Sequence, residues 1–224
     1  MAPAANKPAK KADDEEDDTN GLFGPFRIGP VVGVGVPNLV SFGVTAKLTR
    51  FLGFGVNVGV IPKVQLSLYG DATLSYQEYD AYGRLYPFGG SFFLGAGVGY
   101  ATMKGSYAND FAAPAEAAAF GIAPGTPITI TTDGQVRSLV LTPQLGFFKT
   151  FGSGISIGID FGAQMPIAPS TVSANTSVSG ANGLASTPQV QDQITQGSQK
   201  VRDTLDKVGQ QIVPTINLKV GFLL

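Results

Sequence analysis

Charged side chains recur at every second position in one stretch of the chain whose other residues are mostly apolar or aromatic. Glu78, Asp80 and Arg84 alternate along this stretch and share one face with Tyr76 and Tyr82. Two carboxylates on one face could serve as the acid and base of a hydrolase, as in glycosidases. Paired carboxylates are a weak catalytic signal, however, and the same residues can form an ion-pair network or a polar path for a small solute.

Most other catalytic and cofactor chemistry lacks its side chains in this sequence. The 224 residues include no His and no Cys, which excludes thiol catalysis, His-based triads, zinc fingers and disulfide scaffolds. The glycines within 33–35 and 95–99 do not match the G-x-G-x-x-G nucleotide-binding pattern. We therefore predict no metal site, no cofactor and no enzymatic activity.

Charge and hydropathy exclude two further classes of protein. A formal net charge of −1 offers no electrostatic basis for nucleic-acid binding, and no apolar run approaches the roughly 18 residues of a membrane helix. Residues 1–21 combine a few lysines with six consecutive acids at 13–18, and they are predicted to form a disordered, charged periplasmic tail. Residues 2–20 lack the apolar core of a secretory signal. This predicts either that the chain is a mature form with an added start Met or that it is not exported by the signal-peptide route.

Beyond the tail, apolar residues alternate strictly with small or polar ones. In 52–60, apolar residues at even positions alternate with Gly53, Gly55, Asn57 and Gly59. Such runs are about 9–11 residues long, the length of a tilted strand that crosses a bilayer. Glycine also replaces the long charged side chains that a water-exposed face normally carries. The pattern predicts an all-β, antiparallel transmembrane barrel, with apolar residues facing lipid and glycines crowding a narrow lumen.

Eight strands are predicted in a barrel domain spanning 22–224, at 24–36, 39–48, 51–60, 72–86, 91–104, 135–149, 154–167 and 214–224. A further hairpin around 63–69 is left open. With both termini in the periplasm, the tight turns after strands two, four and six fall on the periplasmic side. The two long connections, about 107–134 and 168–213, fall outside, as in outer-membrane barrels. Aromatic residues beside the tight turns are predicted to form an interfacial girdle; they are Phe51, Phe54, Tyr86, Phe88, Phe92, Phe93, Phe147, Phe148, Phe151 and Phe222.

The two long connections carry local signals of their own. Asp133 and Gly134 are predicted to form a tight hairpin turn. Within the long loop 170–213, residues 170–186 are loop-like, and 188–212 are predicted to form an amphipathic helix capped by Thr187. The apolar stripe of this helix is Val190, Ile194, Val201, Leu205, Val208 and Ile212. The helix could pack on the barrel mouth, enter the lumen, lie on the outer leaflet or bind a partner.

Seven charged residues are predicted to face the lumen, namely Arg27, Lys47, Glu78, Asp80, Arg84, Asp160 and Lys219. Because a charge that faces hydrocarbon is costly, these side chains must point inward and find partners there. Four are cations and three are anions, so near-complete pairing is possible. The pattern favours an ion-pair network that fills the lumen, with a path for a small solute as the alternative.

The segment 84–100, RLYPFGGSFFLGAGVGY, resembles one common in small Gram-negative outer-membrane barrels. From about residue 22 onward, the chain resembles the OmpA/OmpW-like, porin-like eight-stranded group in its alternating residue pattern. The resemblance implies a monomer that resides in outer-membrane lipid and is inserted by the barrel-assembly machinery. The last strand resembles the assembly signal, with Val220 and Phe222 in alternation, but it ends in Leu224 where Phe is usual.

Three functions fit these observations. The favoured hypothesis is a non-enzymatic outer-membrane barrel with a structural or surface-interaction role, because the lumen of an eight-stranded barrel is just filled by side chains. The second hypothesis is a narrow channel or transporter for small solutes. The third is a soluble, lipocalin-like ligand carrier.

Overall fold

The computed structural model describes residues 26–66, 71–113, 115–121, 123–180 and 188–224. The strands are β1 (Arg27–Val36), β2 (Val40–Lys47), β3 (Leu52–Leu66), β4 (Asp71–Leu85), β5 (Phe92–Ala112), β6 (Pro127–Thr150), β7 (Ile155–Pro166), β8 (Thr171–Ser179) and β9 (Val213–Phe222). A short 3₁₀ helix (Ala115–Phe120) joins β5 to β6, and the helix α1 (Pro188–Gly209) precedes β9. The predicted tail and the predicted cap Thr187 lie outside the described residues.

Eight of the strands close into an antiparallel barrel, as the alternation predicts. Strands β1 to β6 each pair with the next strand along the chain, and β9 pairs with both β7 and β1. The remaining strand, β8, lies outside this ring and pairs with the first half of β6. Both ends of the barrel chain, at Arg27 and Phe222, therefore lie at the same end of the barrel.

The strands on one side of the barrel are much longer than predicted. Strand β5 continues to Ala112 and β6 begins at Pro127, and the two pair along this whole length. The predicted hairpin turn at Asp133 and Gly134 is wrong, because both residues lie inside β6 with β5 on one side and β8 on the other. Residues 171–179, predicted as loop, form β8 because their backbone groups complete the hydrogen bonding of the free edge of β6.

No further hairpin begins at residues 63–66. Residues 63–66 continue β3 and pair with β4, with an irregular register between Ile61 and Val64. This bulge adds an unpaired stretch to the wall but starts no new strand. Residues 67–70 lie outside the described chain.

Helix α1 packs against the inner face of the extended strands, above the barrel mouth. A Cβ on Gly134 would lie 2.6 Å from Leu205 Cδ1 and 3.4 Å from Val201 Cγ1, so the glycine admits the helix close to β6. The hydroxyls of Ser138 and Ser170 donate to the carbonyl oxygen of Gly209, at 3.3 and 3.0 Å. The helix ends at Gly209 instead of at residue 212 as predicted, and Ile212 beyond it is exposed.

The alternation of the sequence corresponds to the two faces of the wall. On β1, Val32, Val34 and Val36 point outward and are 46%, 51% and 57% exposed. Ser41, Thr45 and Thr215 point inward on the neighbouring strands and are buried. The apolar face is thus the outside of the barrel, as a membrane-spanning barrel requires. Among the described residues, no helix is long and apolar enough to cross a membrane.

Candidate functional site in the barrel lumen

Strand β4 supplies most of the large side chains inside the barrel. Its inward residues Asp80, Tyr82 and Arg84 are paired with Gly99, Gly97 and Gly95 of β5. Their neighbours on β3 are small in the same way, since Tyr82 and Arg84 are paired with Gly55 and Gly53. A Cβ on Gly55 would lie 2.5 Å from the Tyr82 hydroxyl oxygen. The glycine face of the sequence therefore provides the room that the charged and aromatic residues of β4 occupy.

A buried ion triad crosses the lumen from three strands. Arg84 Nη2 lies 3.0 Å from Asp160 Oδ2, and the Lys219 ammonium contacts the same carboxylate oxygen. The side chains of Arg84 and Asp160 are each 1% exposed. Lys219 and Asp160 lie diagonally across the β7–β9 ladder, where Lys219 is paired with Gly158 and Asp160 with Asn217, whereas Arg84 reaches them from β4. The triad has two cations and one anion, so other groups around it must stabilise the excess positive charge.

Aromatic faces complete the surroundings of the Arg84 guanidinium. Its central carbon lies 4.5, 4.3 and 5.2 Å from the ring centroids of Tyr82, Phe93 and Phe148. At these distances the negative face of each ring stabilises a cation. The Lys219 ammonium lies 5.1 Å from the centroid of the Tyr82 ring, so this ring serves both cations.

Two of these aromatics, Phe93 and Phe148, help to close the end of the lumen at which the described chain begins and ends. Val31, Tyr86, Phe93, Phe148 and Leu223 form a buried cluster, which we call the aromatic plug. Three of its members were predicted to lie in the interfacial girdle, and for Tyr86, Phe93 and Phe148 that prediction is wrong. The pairs Phe92–Phe93 and Phe147–Phe148 are adjacent in sequence, so one member of each pair must point inward. Phe147 and Phe88 do point outward.

Two carboxylates of β4 are held by amides and not by cations. Glu78 accepts hydrogen bonds from Asn38 Nδ2 at 2.5 Å and from Gln164 Nε2 at 2.6 Å. The Tyr76 hydroxyl donates to Gln164 Oε1 at 3.0 Å and so orients that amide. Together Tyr76, Glu78, Gln164 and Asn38 form a polar layer toward the end of the barrel that carries the extended strands. Asp80, one step deeper, accepts from Asn57 Nδ2 at 3.2 Å.

The seven charges of the sequence analysis are thus not one network. The structure brings Arg84, Asp160 and Lys219 together and places Asp80 and Glu78 in successive layers above them. Arg27 and Lys47 are paired with each other in the β1–β2 ladder, at the rim where the described chain begins. Lys47 lies 5.1 Å from the Tyr86 ring centroid, beneath the aromatic plug. Salt bridges among the described side chains are confined to the triad.

Two small cavities lie within the described part of the lumen. One of about 30 Å³ lies between the triad and the polar layer and is lined by Asp80, Asn217 and Lys219 among other polar residues. The other, of about 80 Å³, lies above the polar layer, where Met103, Val136 and Val140 line it and the end of α1 roofs it. The layer of Tyr76 and Gln164 borders the upper cavity. The lumen therefore consists of two chambers separated by hydrogen-bonded side chains.

Sequence reasoning missed the amides that hold the carboxylates. Asn57 and Gln164 stand on the inward face of their strands, so the alternation was a sufficient signal for them. Asn38 belongs to the short turn between β1 and β2, where asparagine is expected for backbone reasons. Nothing in the sequence shows that its side chain folds back over Gly59. Among the described residues, no group of three or more Asp, Glu, His or Cys side chains could hold a metal ion.

Comparisons with known proteins support the architecture and give no family. No protein-family model matches the chain, and no curated protein matches it. The crystal structure of Acinetobacter baumannii CarO2 matches with a TM-score of 0.50 and 12% identity, covering 88% of this chain and 98% of that one. The structure of Acinetobacter baumannii CarO matches with a TM-score of 0.48 and 12% identity, covering 88% and 97%. At such identity the likeness concerns the fold, and the resemblance to OmpA/OmpW-like proteins is not confirmed.

Proposed function

We propose that this chain is a non-enzymatic β-barrel of the bacterial outer membrane with a closed lumen and a structural or surface-interaction role. The apolar outer face supports membrane residence, and the matched fold is that of an outer-membrane barrel of eight strands. The end of the barrel that carries the extended strands is then extracellular, and both termini are periplasmic. We further propose a monomer in outer-membrane lipid, inserted by the barrel-assembly machinery, with no nucleic-acid partner.

The observation that carries the proposal is the closure of the lumen at two levels. The ion triad and the aromatic plug fill the periplasmic half, and every side chain of the plug is at most 6% exposed. A general diffusion pore needs a continuous water-filled path, which eight strands do not leave once large side chains fill the interior.

The surface that remains for interaction is the extension formed by the far ends of β3, β4, β5 and β6 together with β8 and α1. Its outer face, opposite the helix, presents cross-strand rows of hydroxyl, amide and carboxylate groups. One such row runs across five strands through Gln65, Thr73, Ser106, Asp133 and Asn175. This face is polar, broad and supported by a helix behind it, as an extracellular contact surface would be.

A narrow channel is the second candidate function, and the two chambers favour it. They lie in line along the lumen, and the polar layer between them consists of side chains that can rotate. Opening would require α1 to leave the mouth and the triad to rearrange. Rearrangement of the triad is opposed by the cost of separating buried charges.

The soluble carrier is the hypothesis that the structure supports least. Ligand pockets are typically about 300 Å³ or larger, whereas the two described lumen cavities measure about 80 and 30 Å³. The large apolar side chains that such a carrier would turn inward lie on the outside of this barrel.

Planar-bilayer recording on the refolded, full-length chain tests the proposal. We expect no stable conductance steps from the wild type, because the triad and plug block the path. Stable, reproducible openings at low voltage would overturn the closed-lumen proposal in favour of the channel. A chain that stays folded and dispersed without detergent would overturn both in favour of the carrier.

A further inference from the structure

The charged residues of the barrel wall are distributed unequally between its two sides. On β1, β2, β7 and β9, the charged residues are Arg27, Lys47, Asp160 and Lys219, and all four face the lumen. The part of the barrel wall where β3 to β6 are long is called the tall wall. Its exposed cations are Lys63, Lys104 and Arg137. Lys104 and Arg137 point outward from β5 and β6, and Lys63 lies in the bulge of β3.

These cations lie immediately beyond the edge of the apolar belt. Tyr79, Tyr100 and Leu139 form the last apolar row across β4, β5 and β6. One step further along the strands, away from the apolar belt, the outward-facing row is Gln77, Thr102 and Arg137. Lys104 stands in the outward-facing row after that. In a membrane-spanning barrel this height is the level of the lipid headgroups, where Lys and Arg side chains meet anionic groups.

A recess of about 290 Å³ lies in this part of the wall, between the β3 bulge and the neighbouring strands. Lys63 and Lys104 flank it, and Ser75, Gln77 and Thr102 supply hydroxyl and amide groups between them. Neither lysine forms a salt bridge with a carboxylate of the described chain. The recess therefore combines two cations that form no salt bridge among the described side chains with neutral hydrogen-bond donors, which suits a phosphate group. The outward carboxylate of Asp133 stands one row beyond Lys104.

An apolar groove of about 730 Å³ lies directly below the recess on the same wall. Its base is formed where β4 carries the small residue Ala81, and Phe42, Val56 and Val98 form its sides. Gly83, the next outward residue of β4, also leaves open space, since a Cβ there would meet nothing within 4 Å. The Tyr79 hydroxyl, which accepts a hydrogen bond from Gln77 at 2.6 Å, connects the groove to the recess.

From this arrangement we propose that the tall wall is a binding site for a phosphorylated glycolipid of the outer leaflet. The phosphate lies between Lys63 and Lys104, and an acyl chain occupies the groove over Ala81. The inference rests on the proposed outer-membrane placement. Charge complementarity selects the occupant, because a neutral lipid would leave both lysines unpaired and a soluble phosphate would leave the groove empty.

Native mass spectrometry of the full-length barrel in detergent tests the site with bis-phosphorylated lipid A and its dephosphorylated form as probes. We expect the wild type to retain the phosphorylated form preferentially. Replacing both lysines, Lys63→Gln with Lys104→Gln, should weaken binding roughly 5-fold per lysine. The matched control, Arg202→Gln with Lys207→Gln on the exposed side of α1, should leave binding unchanged.

The groove is tested by Ala81→Phe, which fills it without altering charge. We expect this variant to bind both lipid forms several-fold more weakly, whereas Ala163→Phe on the opposite wall should bind like the wild type. Inorganic phosphate at equal concentration should displace little of the lipid. The proposal is overturned if the lysine variant retains lipid like its control, if phosphorylation makes no difference, or if phosphate alone competes fully.

Heat-modifiable gel migration, measured on each variant, separates these outcomes from failure of the barrel itself. If Ala81→Phe does not fold, Ala81→Leu takes its place. A chain that folds and inserts but does not discriminate between the lipids contradicts the lipid site alone. A chain that does not insert contradicts the proposed function.

Discussion

Arg84 donates a hydrogen bond to Asp160 across the lumen, with 3.0 Å between Nη2 and Oδ2 and a sequence separation of 76 positions. The contact joins β4 to β7, which are not neighbours in the barrel wall. Because Lys219 of β9 contacts the same carboxylate oxygen, one anion ties together three strands. The triad therefore links β4 directly, across the lumen, to strands with which it shares no hydrogen-bonded ladder.

The first prediction concerns the single anion of this triad. Asp160→Asn keeps the shape of the side chain but leaves Arg84 and Lys219 buried without a counter-charge. Breaking a buried ion pair in this way costs about 3–5 kcal/mol, and we expect a loss of this size in the free energy of unfolding by urea in lipid vesicles.

Two further variants control this measurement. Lys207→Gln, at an exposed position of α1, should change stability by no more than about 0.5 kcal/mol. Adding Lys219→Met to Asp160→Asn should restore part of the loss because one unpaired cation is removed. If Asp160→Asn were as stable as the wild type, the triad would not hold the strands together.

The second prediction concerns the turn residue that holds Glu78. A Cβ on Gly59 would overlap the side-chain amide of Asn38, which donates to Glu78. We expect Gly59→Ala to displace that amide and to destabilise the barrel by about 1–3 kcal/mol, as overpacking does. Urea unfolding in vesicles measures the loss.

Gly83→Ala is the matched control, since Gly83 also lies in a barrel strand but faces open space. It should leave stability nearly unchanged. Combining Gly59→Ala with Asn38→Ala should relieve the overlap, although Glu78 then loses one donor. Equal effects of the two glycine substitutions would contradict the packing of Asn38 inside the lumen.

The third prediction concerns the docking of α1 on the extended strands. Gly134→Val places side-chain atoms where Leu205 now packs, so the helix should leave the mouth and its amides between residues 191 and 208 should exchange faster with solvent. Gly105→Val is the control, because Gly105 is paired with Gly134 but its Cβ would meet only one atom, at 3.6 Å. Hydrogen exchange of α1 that is equal in the two variants would contradict helix docking at Gly134.

The sequence was sufficient for the barrel but not for its extension. Valines and glycines that alternate through β1 to β3 predict a wall with one apolar and one small-residue face, since strand side chains alternate with a period of two. The contrast is weaker in the extension. Strand β8 carries Thr, Ser and Asn on one face and Val172, Ala174, Thr176 and Val178 on the other, and a stretch so rich in Ser, Thr and Asn is equally typical of loops. Its pairing with β6 depends on a free strand edge that sequence does not reveal.

The lumen shows the same division. The inward direction of Glu78, Asp160 and Lys219 follows from alternation alone. Their partners depend on register and strand order, because Arg84 and Asp160 come from strands that meet only across the lumen. The assumption that aromatics next to tight turns face outward failed for Phe93 and Phe148. There the inward position of each residue outweighed the preference of aromatic rings for the membrane interface.

The central claim is that the apolar face of each strand meets lipid, and single-tryptophan quenching tests it most directly. The chain has no Trp, so Val56→Trp on the outer face and Tyr82→Trp in the lumen each introduce one fluorophore. In vesicles of lipids with brominated acyl chains, we predict strong quenching for Val56→Trp and little for Tyr82→Trp. Strong quenching for Tyr82→Trp with none for Val56→Trp would contradict the account.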